Sequence, residues 1–244
     1  MALRRIGLCL RQAGAVGLDG KRRPCGVEAR AGVKTGNLIM APDEPTDLHG
    51  LRLAAVTGVL RARGSRRVAD LGCGPGALFE RLAAGPDLQR LVAVDLSLPA
   101  LQALRERMDG GDDRLRFIHG SFLDPGLDLG EIDAAVLLET IEHIDPDQLS
   151  RLERAVFARW RPQVVIITTP NADYNPVLGV PPGRRRHWDH RFEWGREHFA
   201  RWASGVAARQ GYVVRMQDIG PVIPGYGSAT QMAVFDLGGG GGPG

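Results

Sequence analysis

Glu139-Thr140-Ile141-Glu142-His143 sets two carboxylates and an imidazole at i, i+3 and i+4. Residues three and four apart share one face of a helical turn, so a turn here would aim three ligand-type side chains at one point. Two oxygens and a nitrogen suit a divalent cation, because carboxylates bind hard ions and imidazole adds affinity for transition metals. One turn cannot surround an ion, so a further ligand is expected from a neighbouring segment. His187-Trp188-Asp189-His190-Arg191-Phe192-Glu193-Trp194 offers two of the chain's six histidines. On its own, the Glu139–His143 stretch also fits a solvated acidic turn.

A second chemistry-bearing segment is Asp70-Leu71-Gly72-Cys73-Gly74-Pro75-Gly76. Glycines in such a loop let the backbone approach a ligand and adopt positive φ. Nicotinamide and flavin sites use similar loops, so the glycines do not identify the ligand. Three details favour S-adenosylmethionine. Asp70 could accept from the ammonium of a methionine moiety. The third glycine follows the second by two residues, where the dinucleotide pattern has three. Asp95 ends the next apolar run, where a carboxylate can accept both ribose hydroxyls; a dinucleotide would use it too. Gly120-Ser121-Phe122, after a third run, is expected to flank the adenine.

These residues need a frame that brings the ends of several strands together. Strand and helix signals alternate along the chain, which predicts a parallel sheet covered by helices on both faces. Strands are expected at 67–71, 91–95, 116–119, 133–138 and 164–168, with helices at 51–63, 77–84, 99–108, 148–158 and 197–210. Tyr212–Met216 and Gln231–Phe235 read as a final, antiparallel pair. Asp145-Pro146-Asp147-Gln148 reads as N-cap, proline at N1 and capping-box glutamine. The acidic turn then lies between a strand end and a capped helix, where open α/β sheets bind ligands.

The 244 residues fit one α/β domain of ordinary size. Residues 1–45 show no sustained period and are expected to be a disordered extension. The methyl-transfer frame is expected over 46–237, and the glycine-rich 238–244 is a disordered tail. A net charge of +3 allows a polyanionic partner without demanding one. Cys9, Cys25 and Cys73 form no CxxC pair, which argues against a disulfide framework or a thiolate zinc site and predicts a reducing, cytoplasmic location. No apolar run approaches the ~20 residues of a membrane span.

The Asp70–Gly76 string resembles the first motif of class I methyltransferases, over roughly residues 68–235. Glu139, Glu142 and His143, taken with Asp189-His190-Arg191-Phe192-Glu193-Trp194, look like the signature of the small-RNA 3′-terminal ribose 2′-O-methyltransferases. Thr169-Pro170-Asn171 and Thr230-Gln231-Met232-Ala233-Val234-Phe235 also resemble that family, its bacterial branch above all. The resemblance implies a Rossmann-like, doubly wound sheet, mostly parallel with a C-terminal antiparallel strand. It implies S-adenosylmethionine held by Asp70, Gly72, Gly74, Asp95 and Ser121. It implies Mg²⁺ or Mn²⁺ on Glu139, Glu142, His143 and His190. The substrate would be an RNA 3′ end with free 2′- and 3′-hydroxyls, both chelating the ion, with His143 or His190 assisting deprotonation of the 2′-oxygen. Larger relatives add RNA-binding domains, or a second half that works with an RNA-repair kinase–phosphatase, so silencing and repair roles both stay open. Arg184-Arg185-Arg186 would suit terminal phosphates and Trp188 a splayed base, whereas Phe192 and Trp194 read as core and His119 as structural. Two other readings stand: a metal-independent class I methyltransferase acting on a small molecule, and a non-catalytic binding module with the same fold.

Overall fold

The computed structural model describes residues 45–108 and 111–238. The expected disordered segments, 1–45 and 238–244, lie outside those residues except for Pro45 and Gly238. Seven strands form one sheet: β1 (Arg67–Leu71), β2 (Arg90–Asp95), β3 (Leu115–His119), β4 (Ala134–Leu138), β5 (Val164–Pro170), β6 (Tyr212–Ile219) and β7 (Thr230–Leu237). Their order is β3-β2-β1-β4-β5-β7-β6. β1 to β5 run parallel, and β7 pairs antiparallel with both β5 and β6. This is the mostly parallel sheet that the alternating strand and helix signals predict, final antiparallel pair included.

The apolar runs are nearly continuous because the inner strands are covered on both faces. Alternate residues point to opposite sides. Ala69, Leu71, Val92, Val94, Ala135 and Leu137 join a core with α4 (Leu149–Glu153) and α5 (Arg196–Gln210). Val68, Leu91, Ala93, Ala134 and Val136 join the other, beneath α1 (Pro45–Ala62), α2 (Ala77–Ala83) and α3 (Leu98–Arg107). The chain crosses from β3 to the far side of β1 to form β4. The carboxyl ends of β1 and β4 therefore flank the point where strand order reverses, the place where such sheets hold ligands.

Two local expectations are corrected. Asp145 makes no side-chain cap; Pro146–Gln148 is a short 3₁₀ turn, with the Gln148 amide donating to the Asp145 carbonyl at 2.8 Å. That backbone bond takes the place of the expected capping box. The helix expected over 148–158 is α-helical only through Glu153 and then widens into a π-helical turn, Arg154–Trp160. The Arg161 amide donates to the Val156 carbonyl, five residues back, at 3.0 Å. The wider turn lets consecutive Ala155, Val156 and Phe157 all bury.

Candidate metal and cofactor site

Only part of the acidic stretch is helical. Ile141–His143 forms one 3₁₀ turn, while Glu139 sits just past β4 with φ +50°. Left-handed backbone is costly for a residue with a Cβ. It is held here by the Glu139 amide, which donates to Thr168 Oγ1 at 2.9 Å. Glu139 therefore does not share a helical face with Glu142 and His143, as the spacing predicts. Its Oε2 instead meets the Arg52 guanidinium of α1 at 3.1 Å.

The distant histidine does arrive. The Arg191 amide donates to the Glu142 carbonyl at 2.6 Å, stitching the segment after β5 onto the acidic turn. Among the described residues, Glu142, His143 and His190 each offer a ligand atom within 4.8 Å of the others. Glu139 is not in that group, although its charge is felt there. Burial holds the Glu142 carboxyl well above its usual range, and the neighbouring Glu139 pushes it further up. Burial also raises Glu139, against the pull of Arg52. Oε1 of each glutamate is buried without a hydrogen-bond partner. An uncompensated Glu142 oxygen grouped with two imidazoles fits a divalent cation.

Each histidine is oriented by a carboxylate. His143 Nδ1 lies 3.0 Å from Asp189 Oδ2, and His190 Nδ1 lies 2.6 Å from Glu193 Oε1, which leaves Nε2 of each ring uncommitted. Such outer carboxylates fix the tautomer and aim of a ligating imidazole. Burial lowers the His190 pKa, with Glu193 opposing, which favours the neutral ring. Burial pushes Glu193 up, but hydrogen bonds led by Asn175 and His190, with the Arg186 amide, outweigh it and hold it ionised. Thr169 Oγ1 donates to Glu142 Oε2 at 3.0 Å.

The residues expected to hold the cofactor lie at the ends of β1, β2 and β3. Asp70 is 1% exposed and its Oδ2 has no hydrogen-bond partner. Burial, and then Asp95, push its carboxyl up to about 7. A buried acceptor of this kind fits an ammonium group. Gly72 has φ +76°, and a Cβ there would lie 2.5 Å from Thr140 Cγ2, so only glycine lets the loop close on the acidic turn. Gly74 has φ +53° with nothing within 4 Å of a Cβ, which leaves its backbone open to a ligand. Asp95 accepts from the Gly74 amide at 2.8 Å and the Ser97 amide at 2.7 Å. Each carboxylate oxygen keeps a second acceptor site for a hydroxyl. Ser121 follows β3, and its Oγ accepts from the Leu123 amide at 3.1 Å.

Several side chains take roles that local sequence does not reveal. Arg186 is turned inward onto Asn175 Oδ1 at 2.6 Å and the Ala229 carbonyl at 2.7 Å; Arg184 and Arg185 stay exposed. Phe192 is buried and stacks on Trp194 with centroids 4.2 Å apart, in line with their reading as core. His119 binds the Leu96 carbonyl at 3.1 Å. Glu193 stands three residues from His190, close enough for spacing to have marked it as that ring's support, whereas Asp189 supports the distant His143, and neither that pairing nor Arg52 or Thr168 carries a local signal. Size does not mark the site either: a cleft of about 710 Å³ between α1 and β6 holds none of these groups.

The methyltransferase domain family matches residues 68–163. A crystal structure of the methyltransferase domain of bacterial CtHen1 is similar, with 35% identity, TM-score 0.71, and coverage of 78% of this chain and all of that one. The small RNA 2′-O-methyltransferase of Rattus norvegicus is 36% identical over 188 residues, 72% of this chain and 47% of the relative. The enzyme of that name from Arabidopsis thaliana is 31% identical over 201 residues, 72% of this chain and 21% of the relative. The chain thus spans about half the length of the rat relative, and less of the plant one.

Proposed function

The chain belongs to the small RNA 2′-O-methyltransferase family, and from that premise we propose that it transfers a methyl group from S-adenosylmethionine to the 2′-hydroxyl of a 3′-terminal ribose in RNA. The observation that carries the proposal is the meeting of Glu142, His143 and His190 beside the Asp70–Gly76 loop, with buried glutamate oxygens left unpaired. Residues 46–237 would make up the methyltransferase domain. Asp70 would hold the donor's ammonium, the Gly72 and Gly74 backbone would lie against the donor, Asp95 would accept the ribose hydroxyls, and Ser121 would flank the adenine.

Glu139, Glu142, His143 and His190 would hold Mg²⁺ or Mn²⁺, which when bound lowers the pKa of the ribose hydroxyls and readies the 2′-oxygen for attack. Each ring has one uncommitted nitrogen, and a nitrogen that ligates cannot also take a proton. Because Asp189 and Glu193 orient both rings as ligands are oriented, we assign His143 and His190 to ligation and leave the hydroxyl proton to solvent. The phosphatase chemistry of a repair partner would supply this substrate by freeing 3′-phosphorylated ends. RNA with a free 2′,3′-diol should be methylated only with Mg²⁺ or Mn²⁺, and RNA ending in 2′-deoxy, 3′-deoxy or 3′-phosphate should not. Equal turnover of the 3′-phosphate would sink the requirement for both hydroxyls. Turnover indifferent to a chelator would favour the metal-independent reading.

A further inference from the structure

Trp188 is 86% exposed, the most exposed large apolar side chain among the described residues. It is not at the tip of a slack loop. The His190 amide donates to the His187 carbonyl at 3.3 Å and the Asp189 amide to His187 Nδ1 at 3.2 Å, so 187–190 is a closed turn with Trp188 at its second position. The indole lies against His187 with centroids 5.4 Å apart. His187 in turn neighbours both cluster imidazoles, at 6.2 Å from His143 and 5.5 Å from His190. An aromatic face carried on this turn is thus presented to solvent beside the Glu142–His143–His190 cluster, and exposed Arg184, Arg185 and Arg191 flank it in the chain. A nucleotide base is joined directly to its ribose, so a terminal ribose at the cluster brings its base to this neighbourhood. An indole offers a base a stacking surface independent of its sequence.

Resting on the RNA reading above, we propose that Trp188 is a specificity-determining residue, the platform on which the unpaired 3′-terminal base stacks while its ribose occupies the Glu142–His143–His190 cluster. A base paired within a duplex is already stacked on its neighbours and cannot use the platform, so single-stranded ends are preferred. The test compares the full chain with Trp188→Ala and Trp188→Phe on two RNAs with a free terminal diol, one of which lacks only the terminal base. On ordinary RNA, Trp188→Ala should raise KM about tenfold with kcat little changed, and Trp188→Phe should recover most of the loss. The abasic end should already cost the wild type about the same factor, and Trp188→Ala should add nothing to it. Equal losses on both RNAs, or none on either, overturn the proposal; no loss on either would assign the indole to another surface, such as a protein contact. If the wild type methylates neither RNA, the RNA reading itself has failed and the proposal falls with it. With its side chain in solvent, Trp188 can be truncated without disturbing the fold.

Discussion

With Asp70 as the proposed partner of the donor's ammonium, a single buried acceptor should make donor binding depend on pH. Asp70 is pushed from 3.8 up to about 7, first by burial and then by Asp95. Between those values the native state holds a proton that the unfolded chain has released, so stability falls as pH rises through that window. Below it both states are protonated, and above it the full penalty applies. Asp70→Asn removes the ionisation, so the variant's Tm relative to wild type should climb between pH 4 and 7. Donor affinity behaves oppositely, because an ammonium prefers the carboxylate. Calorimetric titration should show wild-type affinity rising with pH up to about 7 and then levelling, and Asp70→Asn should be flat. A parallel rise in the variant would remove Asp70 from the donor site. Beside His190, Glu193 anchors three partners at once through Asn175, the Arg186 amide and the imidazole. Glu193→Gln should weaken Mn²⁺ binding roughly 10- to 100-fold while donor affinity holds.

At the level of elements, α1 is part of the site as well as of the core. Arg52 spans from it to Glu139, and its Nε donates to Thr230 Oγ1 at 2.8 Å. Arg52→Met leaves a mostly buried carboxylate without its cation, a cost on the order of 2 kcal/mol, between exposed and fully buried pairs. Melting should show that loss, and Mn²⁺ should restore more of it in the variant than it adds to wild type; equal Mn²⁺ shifts would make Arg52 a simple packing residue. Nothing near position 52 in the sequence announces this contact, since its partner is fixed only when β4 and α1 pack together. The strands were legible because burial on both faces leaves apolar runs, and the glycine loop because its chemistry is local. The meeting of Glu142 and His143 with the distant His190 was legible from residue type, but the place of Glu139 was not, because the Thr168 hydroxyl, from another strand, holds the left-handed bend there. The π-helical turn escaped for a similar reason: consecutive burial against the sheet overrode helical period.

At the scale of the molecule, among the described residues every group proposed for donor, cation or RNA end lies at the carboxyl ends of the parallel strands, so the sheet has a working rim and an idle one. β7 runs against β5, pairing Thr230 with Pro170 and Asp236 with Val164. Leu237 therefore leaves the sheet at the idle rim. α1 begins on the opposite side, with Arg52 beside Glu139, and descends until Arg63 Nε meets Asp236 Oδ1 at 2.6 Å. Anchored to a bead through residues after 237, the protein should turn its working rim outward and methylate immobilised and free RNA alike.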